Sequence, residues 1–130
     1  MNLKVYYELW EMECCGKPFK IGDSIGWLVS PAENINFSFK SDNIKYIYDA
    51  HNDDWTNIYY LTGIVKKIYI DYEKYELKTE NNHRMLVPIN GASKLVETNT
   101  SDVEEYKDEY HAGGYLVELD NVTVRPAKKH

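Results

Sequence analysis

Residues 58–71, Ile-Tyr-Tyr-Leu-Thr-Gly-Ile-Val-Lys-Lys-Ile-Tyr-Ile-Asp, constrain the fold more than any other stretch of this chain. β-branched and aromatic side chains dominate, the types that fit a pleated, half-buried surface. Gly63 inside the run predicts a bulge or a sharp bend, because a strand glycine has no side chain to pack and lets the backbone turn. Long strands bent at a glycine are how small barrels turn their corners. Twelve tyrosines, against three tryptophans and three phenylalanines, point the same way. Tyrosine favours strands and sits half buried with its hydroxyl wet.

The rest of the chain reads in short strands and turns. Residues 3–12 alternate, with Leu3, Val5, Tyr7 and Leu9 on one face and Lys4, Tyr6, Glu8 and Trp10 on the other. Residues 24–30 place Ile25, Trp27 and Val29 together. Segments 75–79 and 84–89 flank Glu80-Asn81-Asn82 as a hairpin, and Asn90-Gly91 is a further turn. Residues 115–119 and 122–124 are expected as two strands around an Asp120-Asn121 turn. Two stretches, near 31–57 and 97–113, read as variable insertions. In the first, Ile35, Phe37 and Phe39 alternate, while Ile44, Ile47 and Tyr48 have helix-like spacing. In the second, acidic residues surround a capping box of Ser101 and Glu104, and Gly113-Gly114 closes the loop.

The expectation is a single all-β domain over residues 1–130: a small antiparallel, strongly bent sheet or barrel, SH3-like or OB-like, with a short helical turn at most. Trp10, Phe19, Ile25, Trp27, Val65, Ile68, Val87 and Val117 are its nominated core or mouth.

Charge narrows the partners. The formal net charge is −6, from 21 acidic and 15 basic side chains, a balance that a phosphate backbone or an anionic membrane repels. The short basic pairs Lys66-Lys67 and Lys128-Lys129 read as a solvated strand face and a tail. No apolar run is long enough to cross a membrane as a helix, and the start of the chain has no secretory h-region. Two adjacent cysteines give no disulfide framework. A cytoplasmic protein is expected, with no nucleic-acid or membrane partner.

Residues 10–27, W-E-M-E-C-C-G-K-P-F-K-I-G-D-S-I-G-W, concentrate tryptophan, methionine and cysteine between backbone-constraining glycines and a proline. Cys14-Cys15 admits three readings: a structural turn, a redox thiol pair, or a metal site. Zinc sites space paired cysteines two to four residues apart, so neighbouring sulfurs fit one ion poorly. A zinc site would use Cys14 or Cys15 with His51 or His111. The His51-Asn52-Asp53-Asp54-Trp55 cluster reads as a solvated turn, with acid–base or metal work as the alternative. No serine-hydrolase, phosphate-loop or dinucleotide motif is present, and no cofactor is expected.

The pattern Trp10-x-Met12-x-Cys14-Cys15-Gly16-x-Pro18-Phe19-x-x-Gly22-Asp23-x-Ile25-x-Trp27 resembles the N-terminal signature of an uncharacterised bacterial family, W-x-M-x-C-C-G-x-P-F-x-x-G-D-x-V-x-W. Ile25 stands where that pattern often has valine. Residues 62–68 and 114–119 resemble two further segments of the family. The resemblance implies a bacterial, cytoplasmic protein with a shared fold, and no activity. The expected function is a small protein- or ligand-binding module rather than an enzyme, with a face made of Trp10, Met12, Cys14, Cys15, Phe19 and Trp27. An acidic immunity- or antitoxin-like partner of a basic protein is the alternative.

Overall fold

A computed structural model describes residues 2–14, 16–32, 37, 43–50, 57–89, 93–101, 106–107 and 110–127. The strands are β1 (Leu3–Glu8), β2 (Ser24–Pro31), β3 (Ile44–Tyr48), β4 (Tyr59–Glu73), β5 (Tyr75–Glu80), β6 (His83–Pro88), β7 (Lys94–Thr98), β8 (Tyr106–Lys107) and β9 (Tyr110–Pro126). One short helix, α1 (Leu9–Cys14), follows β1. Among the described residues, seven strands form one sheet in the order β7-β4-β2-β3-β1-β9-β8, and β5 and β6 form another. Because β4 also pairs with β9, the ladders β1–β3–β2–β4–β9 close on themselves, and the all-β barrel expectation holds.

The long strands make closure possible. The first half of β4 pairs with β2 and its second half with β7, while its other edge follows β9 throughout. Irregularities in the β4–β9 ladder fall between Thr62 and Ile64, between Val65 and Lys67 and between Asp71 and Tyr72. The first is the bend that Gly63 predicted, opposite Asp120. The core lies inside the ring, where Val5, Val29, Leu61, Val65, Ile68, Val117 and Leu119 are all at most 1 % exposed.

Several local expectations change. The ladder is not wholly antiparallel, since β1 and β3 run parallel. The alternation of residues 3–12 stops at Glu8. Leu9–Cys14 is rich in helix formers and turns as α1. Trp10 is therefore not core. It is 53 % exposed, and its indole N–H donates to the Glu8 carboxylate. Ile44, Ile47 and Tyr48 sit on a strand rather than a helix, because β3 fills the gap between β1 and β2. Asp120-Asn121 is no turn between strands. β9 runs straight through it, with Asn121 at φ 52° and its N–H held by the Asp120 carboxylate at 2.9 Å.

Gly113-Gly114 lies inside β9 and closes no loop. Val87 sits half-buried on the β5–β6 hairpin, outside the ring. That hairpin is as expected, with Asn81 and Asn82 both at positive φ, as a type I′ turn requires. Asn90-Gly91, Ile35, Phe39 and residues 51–56 and 102–105 lie outside the described residues.

Candidate functional site

The segment after α1 crosses one end of the ring and is pinned there by Ser101. The Ser101 N–H donates to the Phe19 carbonyl, the Phe19 N–H donates to Ser101 Oγ, and the Tyr115 hydroxyl donates to the Ser101 carbonyl. Ser101, 6 % exposed, thus has its polar groups engaged as a buried group requires. It holds Phe19, 4 % exposed, against the core. A β-turn then reverses the chain: the Asp23 N–H donates to the Lys20 carbonyl at 3.1 Å, and Asp23 Oδ2 accepts from the Lys20 N–H. Gly22 has φ +95° there, a left-handed geometry that penalises any side chain.

Four rings meet behind this crossing. Tyr7 stacks on Tyr48 with centroids 3.9 Å apart. Trp27 meets Tyr7 edge-on at 5.3 Å, Phe19 at 5.2 Å and Tyr48 at 6.0 Å. Edge-to-face and offset pairs like these suit the ring quadrupole. Beside them opens a cavity of about 440 Å³ lined by Tyr7, Lys17, Pro18, Phe19, Asp23, Ser24, Ile25, Gly26, Trp27 and Tyr48. Its size and aromatic wall fall in the range of small-molecule sites. Burial raises the Tyr7 hydroxyl well above the ordinary tyrosine range, and Tyr48 adds to the effect. It stays protonated and wall-like.

The neighbouring tyrosine points the other way. Tyr6 lies on the outer face of β1, where its hydroxyl donates to Asp71 Oδ2 at 2.7 Å. Asp71 is 1 % exposed, and its Oδ1 has no hydrogen-bond partner among the described residues. Burial pushes the Asp71 carboxyl up to about 7; the Tyr6 hydroxyl pulls it down and Glu73 pushes it further up. Burial also raises Glu73. The two carboxyls share a face of β4 two residues apart, which favours holding one proton between them. The floor beneath is Gly114, where a Cβ would lie 2.8 Å from the Tyr6 hydroxyl oxygen. Sequence alone gives little signal for this group, since an aspartate in an alternating strand reads as solvent-facing.

Of the residues nominated from sequence, Phe19 and Trp27 come together in the aromatic cavity. Met12 packs half-buried against the core from α1, and Trp10 lies outside the cavity wall. Cys14 ends α1; its side chain, Cys15 and His51 lie outside the described residues. His111, on β9, meets the Tyr75 ring edge-on at 5.7 Å. Among the described residues, no group of three or more His, Cys, Asp or Glu is placed to hold a metal ion. No described helix is long and apolar enough to cross a membrane. Tyr7, Tyr48 and Ile25 complete the wall. Tyr48 was missed because its run mimics helical spacing, and Tyr7 because it reads as ordinary core.

The model of one protein family, described as Family of unknown function (DUF6578), matches residues 1–121. No curated protein and no solved structure matches the chain.

Proposed function

The chain belongs to Family of unknown function (DUF6578), and from that premise we propose that it is a β-barrel binding module whose site is the aromatic cavity at the end of the ring. One observation carries this reading: the stretch of the chain with the most unusual composition, residues 10–27, supplies Phe19 and Trp27 to a cavity of about 440 Å³. A space of this size opening beside four large rings, with a few polar groups in its lining, has the make-up of a small-molecule site. The later part of the W-x-M-x-C-C-G-x-P-F-x-x-G-D-x-V-x-W signature, from Pro18 to Trp27, then reads as a recipe for this wall, in a bacterial, cytoplasmic protein.

Binding without chemistry is favoured over catalysis. The cavity wall carries four aromatic rings together with Lys17, Asp23 and Ser24. The titrating carboxyl of Asp71 lies on the opposite face of the sheet and is sealed by Tyr6.

The test is an NMR screen with small aromatic fragments such as indole and phenol, read on the labelled full chain. Shift changes centred on Tyr7, Phe19, Trp27 and Tyr48 support the site. Fragments that bind elsewhere and leave those four residues unmoved defeat it.

A further inference from the structure

The cavity borders an edge of β2 that is unpaired among the described residues. β2 pairs with β4 from Ser24 to Val29, but β3 reaches its other edge only from Val29 onward. Among the described residues, no strand lies beside residues 24–26 on that side.

The hydrogen-bond parity shows which groups point there. The Val65 N–H donates to the Asp23 carbonyl, so Asp23 and, by alternation, Ile25 and Trp27 face β4. The Asp49 N–H donates to the Leu28 carbonyl, so Leu28 and, by the same alternation, Gly26 and Ser24 face the open side. Ser24 and Gly26 are both exposed. Each keeps its N–H and C=O on that edge, and neither is a proline or carries a charge. Edges left open are normally blunted by lysine, proline or a bulge.

Side-chain space exists on both faces of this same stretch. The aromatic cavity lies on the inner face. On the outer face, a hollow of about 430 Å³ is lined by Ser24, Gly26, Tyr60, Thr62, Ile64 and Asn121, among others. Both include Ser24, Ile25 and Gly26. Successive side chains of a strand point to opposite faces, so a strand laid along residues 24–26 would send alternate side chains to the inner cavity and to the outer face.

The geometry points to strand addition: this edge of β2 takes an extended peptide segment of a partner protein. It bonds to the backbone of Ser24 and Gly26 and inserts one aromatic or large apolar side chain among Phe19, Trp27 and Tyr48. Main-chain bonds supply affinity in this mode and the alternate pockets supply selectivity. Lys17 and Asp23 put one charge of each sign on the cavity wall, which favours an uncharged inserted side chain and disfavours a charged one of either sign. The segment lacks proline at the positions that face the edge.

This inference rests on the cavity being the binding site, and the experiment separates the two. A library of short random peptides is selected on the full chain. The enriched sequence is then synthesised with each backbone amide N-methylated in turn, a change that leaves the protein untouched. The expected result is a period-two pattern: methylation at every second amide lowers affinity by roughly tenfold or more, the worth of one good hydrogen bond, and intervening positions tolerate it. Ser24→Pro removes one edge N–H and is expected to lose peptide affinity to a similar degree.

A flat methylation scan overturns strand addition. So does a failure to enrich any peptide while indole still moves Trp27, and that result leaves the cavity reading standing. If neither indole nor peptide perturbs the cavity residues, both fall.

Discussion

Tyr6 and Tyr7 are neighbours on β1, both buried, both with hydroxyls pushed up by burial, yet they are held by opposite physics. Tyr7 faces inward and is held by rings: Tyr48 stacked, Phe19 and Trp27 tilted or edge-on against it. Tyr6 faces outward and is held by its hydroxyl on a buried carboxylate, with the Phe37 ring beside it at 5.1 Å. On the inner face the aromatic body matters and the oxygen is secondary. On the outer face the oxygen is the point, because it donates to the buried Asp71 carboxyl.

The largest effect expected from this contrast is Tyr7→Ala, which removes a central ring from the aromatic cluster. It should cost about 3–5 kcal/mol, the usual range for deleting a buried aromatic, measured as the loss of unfolding free energy in urea. A cost below about 1 kcal/mol, the scale of a surface change, would mean that the cluster is loosely packed.

Next comes the pH dependence contributed by Asp71. Its ordinary value is 3.8 and its folded value about 7. Between those limits the unfolded chain sheds the proton while the folded chain keeps it. The stability Asp71 contributes is therefore full below about pH 4, lost as pH rises towards about 7, and level beyond. Asp71→Asn removes this titration. The variant should gain on the wild type by up to ~1.4 kcal/mol per pH unit across that window. Urea midpoints of both proteins at acid and neutral pH check it, and parallel curves would show that Asp71 ionises normally in the fold.

Tyr6→Phe keeps the ring and deletes the donor. A cost of ~1–3 kcal/mol is expected at neutral pH, from taking the Tyr6 hydroxyl away from the buried Asp71 carboxyl. Because the Tyr6 hydroxyl lowers the Asp71 value, its loss should also move the carboxyl titration to higher pH, visible in the carboxyl carbon shift by NMR. The smallest effect belongs to Tyr7→Phe, ~1 kcal/mol or less. If Tyr7→Phe proves costlier than Tyr6→Phe, the assignment of the two faces is reversed.

What was legible in the sequence divides along the same line. Strand patterns whose partners sit on one face were readable: the run through Gly63, the Asn81-Asn82 hairpin, and Ile25, Trp27 and Val29 on one side of β2. Phe19 and Trp27 stood out because rare residues between turn residues rarely gather for packing alone. Asp71 did not stand out, since its burial depends on Tyr6 and Gly114, residues far away in the chain that a one-dimensional pattern cannot bring together. Tyr48 was hidden because five residues, Ile-Lys-Tyr-Ile-Tyr, satisfy both a strand and a helical spacing. The helix α1 was hidden in the same way, as six residues whose alternation continued that of β1.

The closure of the ring has a temporal consequence. β1 is joined to the sheet by β3 on one edge and by β9 on the other, through pairs such as Tyr6 with Leu116 and Leu3 with Leu119. Contacts spanning so much of the chain carry a large loop-closure cost before they return any stability, and folds rich in them form in milliseconds to seconds rather than microseconds. During synthesis, β1 through β4 emerge long before β9 can meet them. Until then Leu3, Val5 and Tyr7 have no inner face to occupy, and Asp71 has no Gly114 beside it. The nascent chain spends that interval with its most β-prone segment, β4, lacking its longest partner. A chaperone that shields residues 59–73 would be of greatest use in that window.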